Sequence, residues 1–176
     1  PDEAAASAAE AVRCQVAVSA HRPSGRLLDA GQLQLAGVID ELYASAADAD
    51  LGATWHLGTP TLRLWAPTAR QVALLLWPVG ASLHDAPERR RMVPADDGTW
   101  AVTGEAGWRG ARYRYEVTVY TPHHRRVVAN QVTDPYSVSL TVNSTHSVLV
   151  DPADPALAPA QWASAVPPRL EHPVDQ

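Results

Sequence analysis

The sequence has 176 residues, enough for one domain with flanking segments rather than two complete domains. With 46% hydrophobic residues it can fill an ordinary core, and its formal charge of −5 argues against a nucleic-acid surface, which carries a basic excess. A single cysteine, Cys14, excludes an internal disulfide framework, and no apolar run approaches the roughly 20 residues that cross a bilayer as a helix.

The chain opens on Pro1 without a signal-like pattern and reads as a piece of something longer. Its first ten residues are Ala-rich and carry no core pattern, so a linker or frayed end is expected there. Cys14, Val16 and Val18 alternate with Gln15, Ala17 and Ser19, a period of two that predicts a strand with Cys14 as a small buried hydrophobe. Pro23-Ser24-Gly25 supplies a turn. Over residues 36–44, Val38, Ile39, Leu42 and Tyr43 take the spacing of a short amphipathic helix, and the small polar stretch 45–50 comes next as a boundary.

From Thr61 onward the pattern is β. Leu62 and Leu64 alternate with Arg63 and Trp65 until Pro67 stops the strand. Residues 71–77 form a nearly continuous apolar run, fit for a strand covered on both faces. Asp96-Asp97-Gly98 stands between the β runs 91–94 and 99–103 and predicts a hairpin, because glycine tolerates the positive φ such turns require. In 112–121, Tyr113, Tyr115, Val117 and Val119 share one face. Segments 127–132 and 147–150 bring the total to about seven strands with turns rich in Gly, Pro, Asp and His, the pattern of an all-β, immunoglobulin-like sandwich. After Asp151, repeated Asp-Pro steps and Pro167-Pro168 predict an irregular connector.

Few residues offer chemistry. The histidines are scattered, and the adjacent pair His123-His124 suits a polar hairpin turn better than a shared ion, so no metal or other cofactor is expected. A glycosidase needs two carboxylates facing each other roughly 5–10 Å apart, whereas the acids here sit in turn contexts such as Asp96-Asp97-Gly98 and Asp134-Pro135. There is no nucleophile elbow and no phosphate-cradling glycine run, so no catalytic residue is assigned. Arg89-Arg90-Arg91 lacks interleaved aromatics and reads as a solvated strand face. Among six tryptophans, Trp77 ends a strand beside Pro78-Val79-Gly80; packing is the first reading, and carbohydrate contact, with an exposed indole stacking on a pyranose ring, is the alternative. Trp55, Trp65 and Trp100 have apolar partners and read as core or edge packing.

Order and wording of several segments carry a family resemblance. Leu62-Arg63-Leu64-Trp65-Ala66-Pro67-Thr68-Ala69-Arg70-Gln71-Val72 resembles the opening strand of carbohydrate-binding module family 48. Gly110-Ala111-Arg112-Tyr113-Arg114-Tyr115-Glu116-Val117 resembles its long central strand, and Val132-Thr133-Asp134-Pro135-Tyr136-Ser137 the segment near its end. Upstream, Gln32-Leu33-Gln34-Leu35-Ala36-Gly37-Val38-Ile39-Asp40-Glu41-Leu42-Tyr43 is similar to the pre-module segment of the pullulanase and limit dextrinase type within glycoside hydrolase family 13. The likeness runs over about residues 12–162.

The resemblance implies a non-catalytic region ahead of a barrel that hydrolyses α-1,6 branch linkages in pullulan, amylopectin and limit dextrins. It implies residues 1–50 as an upstream strand and helix, 51–152 as the sandwich module, and 153–176 as a linker toward the barrel. The catalytic barrel of the same polypeptide is then the expected partner, with α-glucan (starch, pullulan, maltooligosaccharides) as a second. A sandwich of adhesion type unrelated to glycans is the competing class. Of the tryptophan pair that contacts glycan in glycogen-binding relatives, Trp77 lies near the first position, while His123-His124-Arg125-Arg126 occupies the region of the second. For docking, Asp134-Pro135-Tyr136 reads as a rigid surface projection. Leu157, Trp162 and Val166 have no strand to pack into and read as an exposed apolar tail.

Overall fold

The computed structural model describes residues 3–167. The first element, α1 (Glu3–Ala11), is a helix where a linker is expected. Alanine has the highest helix propensity, so the run needs no amphipathic pattern of its own, and Val12 is buried just beyond it. Strands β1 (Ala17–His21) and β2 (Leu27–Gln32) pair as a separate antiparallel hairpin. Every residue of both strands is exposed, and Cys14 is exposed as well. Of the strand expected over 14–19 only 17–19 fall in β1, and alternation also misplaces its layer, because this hairpin joins neither sheet of the sandwich. Polar threads tie its base to the rest: Arg70 donates to Cys14 Sγ at 3.0 Å, and Tyr120 donates to Gln15 Oε1 at 2.6 Å.

Next comes α2 (Ala36–Leu42), which ends at Tyr43 and passes into a 3-10 turn, Ala44–Asp48. Tyr43 is buried against the sandwich. Its ring lies so near Gly98 that a Cβ there would come within 2.9 Å of it. Gly98 also has φ +76, so the Asp96-Asp97-Gly98 hairpin requires glycine for both its turn and this contact.

The sandwich is built from β3 (Gly52–His56), β4 (Thr59–Trp65), β5 (Gln71–Trp77), β6 (Glu88–Arg91), β7 (Val93–Pro94), β8 (Thr99–Thr103), β9 (Arg112–Thr121), β10 (Arg126–Val132) and β11 (Ser147–Val148). One sheet runs β10-β9-β5-β6 with β11 also on β9; the other runs β3-β4-β8-β7. Two strands exceed the expected set. β3 pairs with β4 across the two-residue turn Leu57-Gly58, both at positive φ (48 and 80), a conformation leucine seldom takes and sequence pattern does not advertise. The run 88–94 is split at buried Met92, where the chain leaves β5 as β6 and joins β8 in the opposite sheet as β7. The arginines 89–91 form an exposed face on β6, as expected.

Leu62 and Leu64 of β4 and Trp100 of β8 meet Val72, Leu74 and Leu76 of β5 and Tyr113 and Tyr115 of β9 in one core. Burying a side chain of this size contributes on the order of 1.5–3 kcal/mol, so these positions dominate stability. The other face of β5 is covered too, with Ala73, Leu75 and Trp77 buried. From the end of β11 to Pro167 the chain makes two 3-10 turns, Pro155–Leu157 and Trp162–Ser164, and is otherwise irregular. The second proline of Pro167-Pro168 lies outside the described residues.

Candidate functional site

Asp134 is not a surface group. Only 4% of it is exposed, and its Oδ2 accepts hydrogen bonds from Tyr113 Oη at 2.7 Å and Tyr115 Oη at 3.2 Å. Its backbone N–H donates to Ser147 Oγ at 2.9 Å, and its Oδ1 accepts from Tyr136 N at 2.8 Å. Burial, with the negative charge of Asp134 beside them, raises both tyrosine pKa values and keeps the phenols protonated as donors. A buried polar cluster must be satisfied in this way or it costs heavily. The expected projection thus divides: Asp134 is its buried mount, while Pro135 and Tyr136 emerge from it. Tyr136 is 39% exposed, and Gly52 lets its Cβ approach so closely that a Cβ at Gly52 would stand 2.9 Å away.

The tail beyond β11 is pinned without being covered. Asp154 Oδ1 accepts from Ala156 N at 2.9 Å and opens the first 3-10 turn. Arg109 donates to Asp154 at 2.6 Å and Asp151 at 3.3 Å while its guanidinium lies 4.9 Å from the centre of the Trp55 ring. Held this way, Trp162 is 71% exposed, and Leu157 and Val166 are exposed as well. Trp162, Leu157 and Pro159 share a shallow concavity of about 390 Å³ with Val138, Val150 and Pro152. Val138 also lines a smaller hollow beside Tyr136.

Trp77 is packed, the first of its two readings, and does not offer the exposed indole that the carbohydrate-contact alternative needs. It is 5% exposed, and its Nε1 donates to Asp85 O at 3.0 Å across the loop after β5. The His146 ring stands edge-on to it, with centroids 4.7 Å apart. The cover over this ring does not end at Pro78-Val79-Gly80; residues 81–85 fold back across it, with Ser82 N donating to Asp85 Oδ2 at 2.8 Å. Burial and the nearby Arg114 and Arg112 charges hold the His146 pKa below its ordinary value. His123 and His124 stack edge-on in the β9–β10 turn. Among the described residues, no three His, Cys, Asp or Glu side chains gather to hold a metal ion.

A second cleft, of about 470 Å³, lies between the α2 segment and the sandwich. Tyr43, Trp65 and Tyr136 line it together with Asp40, Ala46 and Leu51. Two of these residues carry fully buried donors, Tyr43 Oη and Trp65 Nε1, that find no partner among the described residues. Sequence reasoning assigns Tyr43 to a helix face and Trp65 to core or edge packing, and so misses their meeting. One signal points toward it: Trp65 falls out of phase with Leu62 and Leu64, on the face of β4 turned away from the core.

Residues 50–137 match the family described as carbohydrate-binding module 48 (isoamylase N-terminal domain), and residues 1–41 match the pullulanase N2 domain. A pullulanase from Klebsiella pneumoniae is 40% identical over 148 residues, which is 84% of this chain and 13% of that protein. The chloroplastic pullulanase 1 of Arabidopsis thaliana is 32% identical over 151 residues, 86% of this chain and 15% of that protein. Among solved structures, the Klebsiella pneumoniae pullulanase complexed with maltotriose superposes with a TM-score of 0.84 at 36% identity, covering 94% of this chain and 16% of that one. The chain thus spans only a small fraction of the length of these relatives. The matched span 50–137 takes in half of the chain, and the chain belongs to the carbohydrate-binding module 48 family.

Proposed function

We propose that this chain is the non-catalytic accessory region of a pullulanase-type enzyme that hydrolyses α-1,6-glucosidic branch linkages in pullulan, amylopectin and limit dextrins. It packs against the catalytic barrel of the same polypeptide and supports it. Residues 1–50 act as a lead-in, 51–152 as the sandwich, and 153–176 as the link to the barrel. One observation carries the docking role: Pro135, Tyr136, Val138, Leu157 and Trp162 leave an apolar surface uncovered on one side of the sandwich. Surfaces of this kind mark interaction sites on otherwise soluble domains. The Asp134 cluster and the Arg109 clamp hold that surface rigid, so little ordering entropy is lost on contact.

The test joins this chain to the catalytic barrel and replaces Trp162 by alanine. Loss of an aromatic anchor should loosen the contact by about 1–3 kcal/mol. Heat inactivation should accelerate several-fold while activity at low temperature changes little; an unaltered inactivation rate retires the docking role. Separately, the chain alone should release no reducing sugar from pullulan, and release well above a buffer blank would overturn the non-catalytic assignment.

A further inference from the structure

We infer that the free edge of β6 takes an extended acidic segment of a protein partner as an added antiparallel strand, with carboxylates at alternate positions. β6 closes its sheet on one side, and all of its residues are exposed. Which of its backbone groups are free follows from the register. Met92 N–H donates to Val72 O at 3.0 Å. The pairs in phase with it, Arg90 with Leu74 and Glu88 with Leu76, are therefore the ones that exchange hydrogen bonds with β5. The N–H and C=O groups of Arg89 and Arg91 point out of the sheet, and among the described residues no backbone group bonds them. An incoming strand finds its ladder there.

Side chains decide which strand fits. Arg89 and Arg91 stand on the outer face of the sheet, in register with Leu75 and Ala73 of β5 and, beyond them, with Arg114 and Glu116 of β9. Glu116 accepts from Arg89 at 2.9 Å, whereas no carboxylate among the described residues pairs with Arg91. An apolar strand would have to bury these guanidinium groups, which is how charged edges resist chance pairing. A strand with aspartate or glutamate opposite them meets matching charge instead. A phosphate or lipid headgroup could use the arginines but would leave the outward backbone groups unpaired. The inner face sets the opposite rule. Arg90 is already paired with Glu88 at 2.8 Å, and both line a hollow of about 220 Å³ with Glu105, Trp108 and Pro78. An acid at the intervening position of the added strand would face Glu88 and Glu105, while a small uncharged side chain is accommodated. Alternation, rather than a run of acids, is thus the matching pattern.

The test adds a capped peptide of alternating glutamate and threonine to the purified 176-residue chain, read by chemical-shift mapping and amide exchange. Binding should be saturable, should shift the β6 amides, and should slow exchange of the Arg89 and Arg91 N–H groups. Arg91→Gln should weaken binding about twofold to fivefold, the worth of a surface ion pair, with the thermal midpoint unchanged. Arg91→Glu should weaken it further and gain affinity for the corresponding lysine–threonine peptide. N-methylation separates an added strand from a loose ionic contact. In this register the glutamate N–H groups point at β6 and the threonine N–H groups point away. Methylating the glutamate nitrogens should therefore abolish binding, and methylating the threonine nitrogens should not. Equal affinity for the two methylated peptides, or for polyglutamate of the same length, would overturn the inference and leave only a general anion patch. No saturable binding at millimolar peptide would overturn it as well; neither result bears on the docking role, which has its own Trp162→Ala test.

Discussion

Two strands of this sandwich end on a tryptophan turned away from the main core, and the chain treats the two ends in opposite ways. At the end of β5, residues 78–85 fold over Trp77, bond its N–H and bring His146 against its ring. At the end of β4, Trp65 is half-buried and lines a cleft with two tyrosines, its N–H buried and without a hydrogen-bond partner among the described residues. The difference lies in the connection that leaves each strand. After Trp77 comes a loop that returns to its own strand end; after Trp65, Pro67 and a tight turn lead directly into β5. The first ring is enclosed by its own loop, and the second keeps part of its surface on a cleft wall.

The largest expected effect comes from emptying the closed end. Trp77→Ala removes a buried indole, and such truncations cost about 3–5 kcal/mol. Trp65→Ala, at the half-buried end, should cost no more than about 2 kcal/mol, because less apolar area returns to water. Urea unfolding of the two variants measures both. Equal losses would break the comparison and make Trp65 an ordinary core residue.

Asp134 sharpens the open side. Asp134→Ala strands the Tyr113 and Tyr115 hydroxyls in the core and releases Tyr136 N from its acceptor. Unpaired buried hydroxyls and lost bonds to a charged group place the cost at about 2–4 kcal/mol. The double variant Asp134→Ala with Tyr113→Phe should recover part of that loss, since one orphan disappears; no recovery in urea unfolding would remove the polar cluster as the cause.

How much of this is legible in the sequence depends on range. Period-two alternation locates β4 and β9, a continuous apolar run locates β5, and Asp96-Asp97-Gly98 locates a hairpin, because those signals act between near neighbours. β3 escapes because its turn places Leu57 in a left-handed conformation that side-chain type does not predict. Cys14 reads as buried from its valine neighbours, but it is exposed, and of these only Val12 is buried, with Val16 half-buried and Val18 exposed on the hairpin. Asp134 looks like a turn former, and it does form one through Tyr136 N. Its other oxygen, however, serves two tyrosines 19 and 21 residues away, a partnership no local pattern contains. The cleft is the extreme case, assembled from positions 43, 65 and 136. Exposure of Tyr136 and Trp162 is foreseeable because neither segment offers them a strand partner.

The smallest expected effect is a pH dependence confined to the closed end. Burial against Trp77 disfavours the charged form of His146, and Arg114 and Arg112 add their positive charge, so its folded pKa lies below the ordinary value of 6.5. As pH falls below 6.5, the unfolded chain takes up a proton that the folded chain still refuses. Unfolding is then favoured progressively down to the folded pKa, and the loss levels off beneath it. The His146 contribution is therefore fully present above the unfolded pKa and declines on acidification through that window. Stability of the chain and of His146→Asn should be compared by urea unfolding from about pH 8 to about pH 5, a span that brackets the ordinary histidine pKa. The variant should show a shallower decline on the acid side, together with near-ultraviolet signals from the indole that no longer change in that window. Parallel curves for the two proteins would mean that the imidazole protonates without disturbing Trp77, and that the cover over that tryptophan is held by the Asp85 bond and the loop alone.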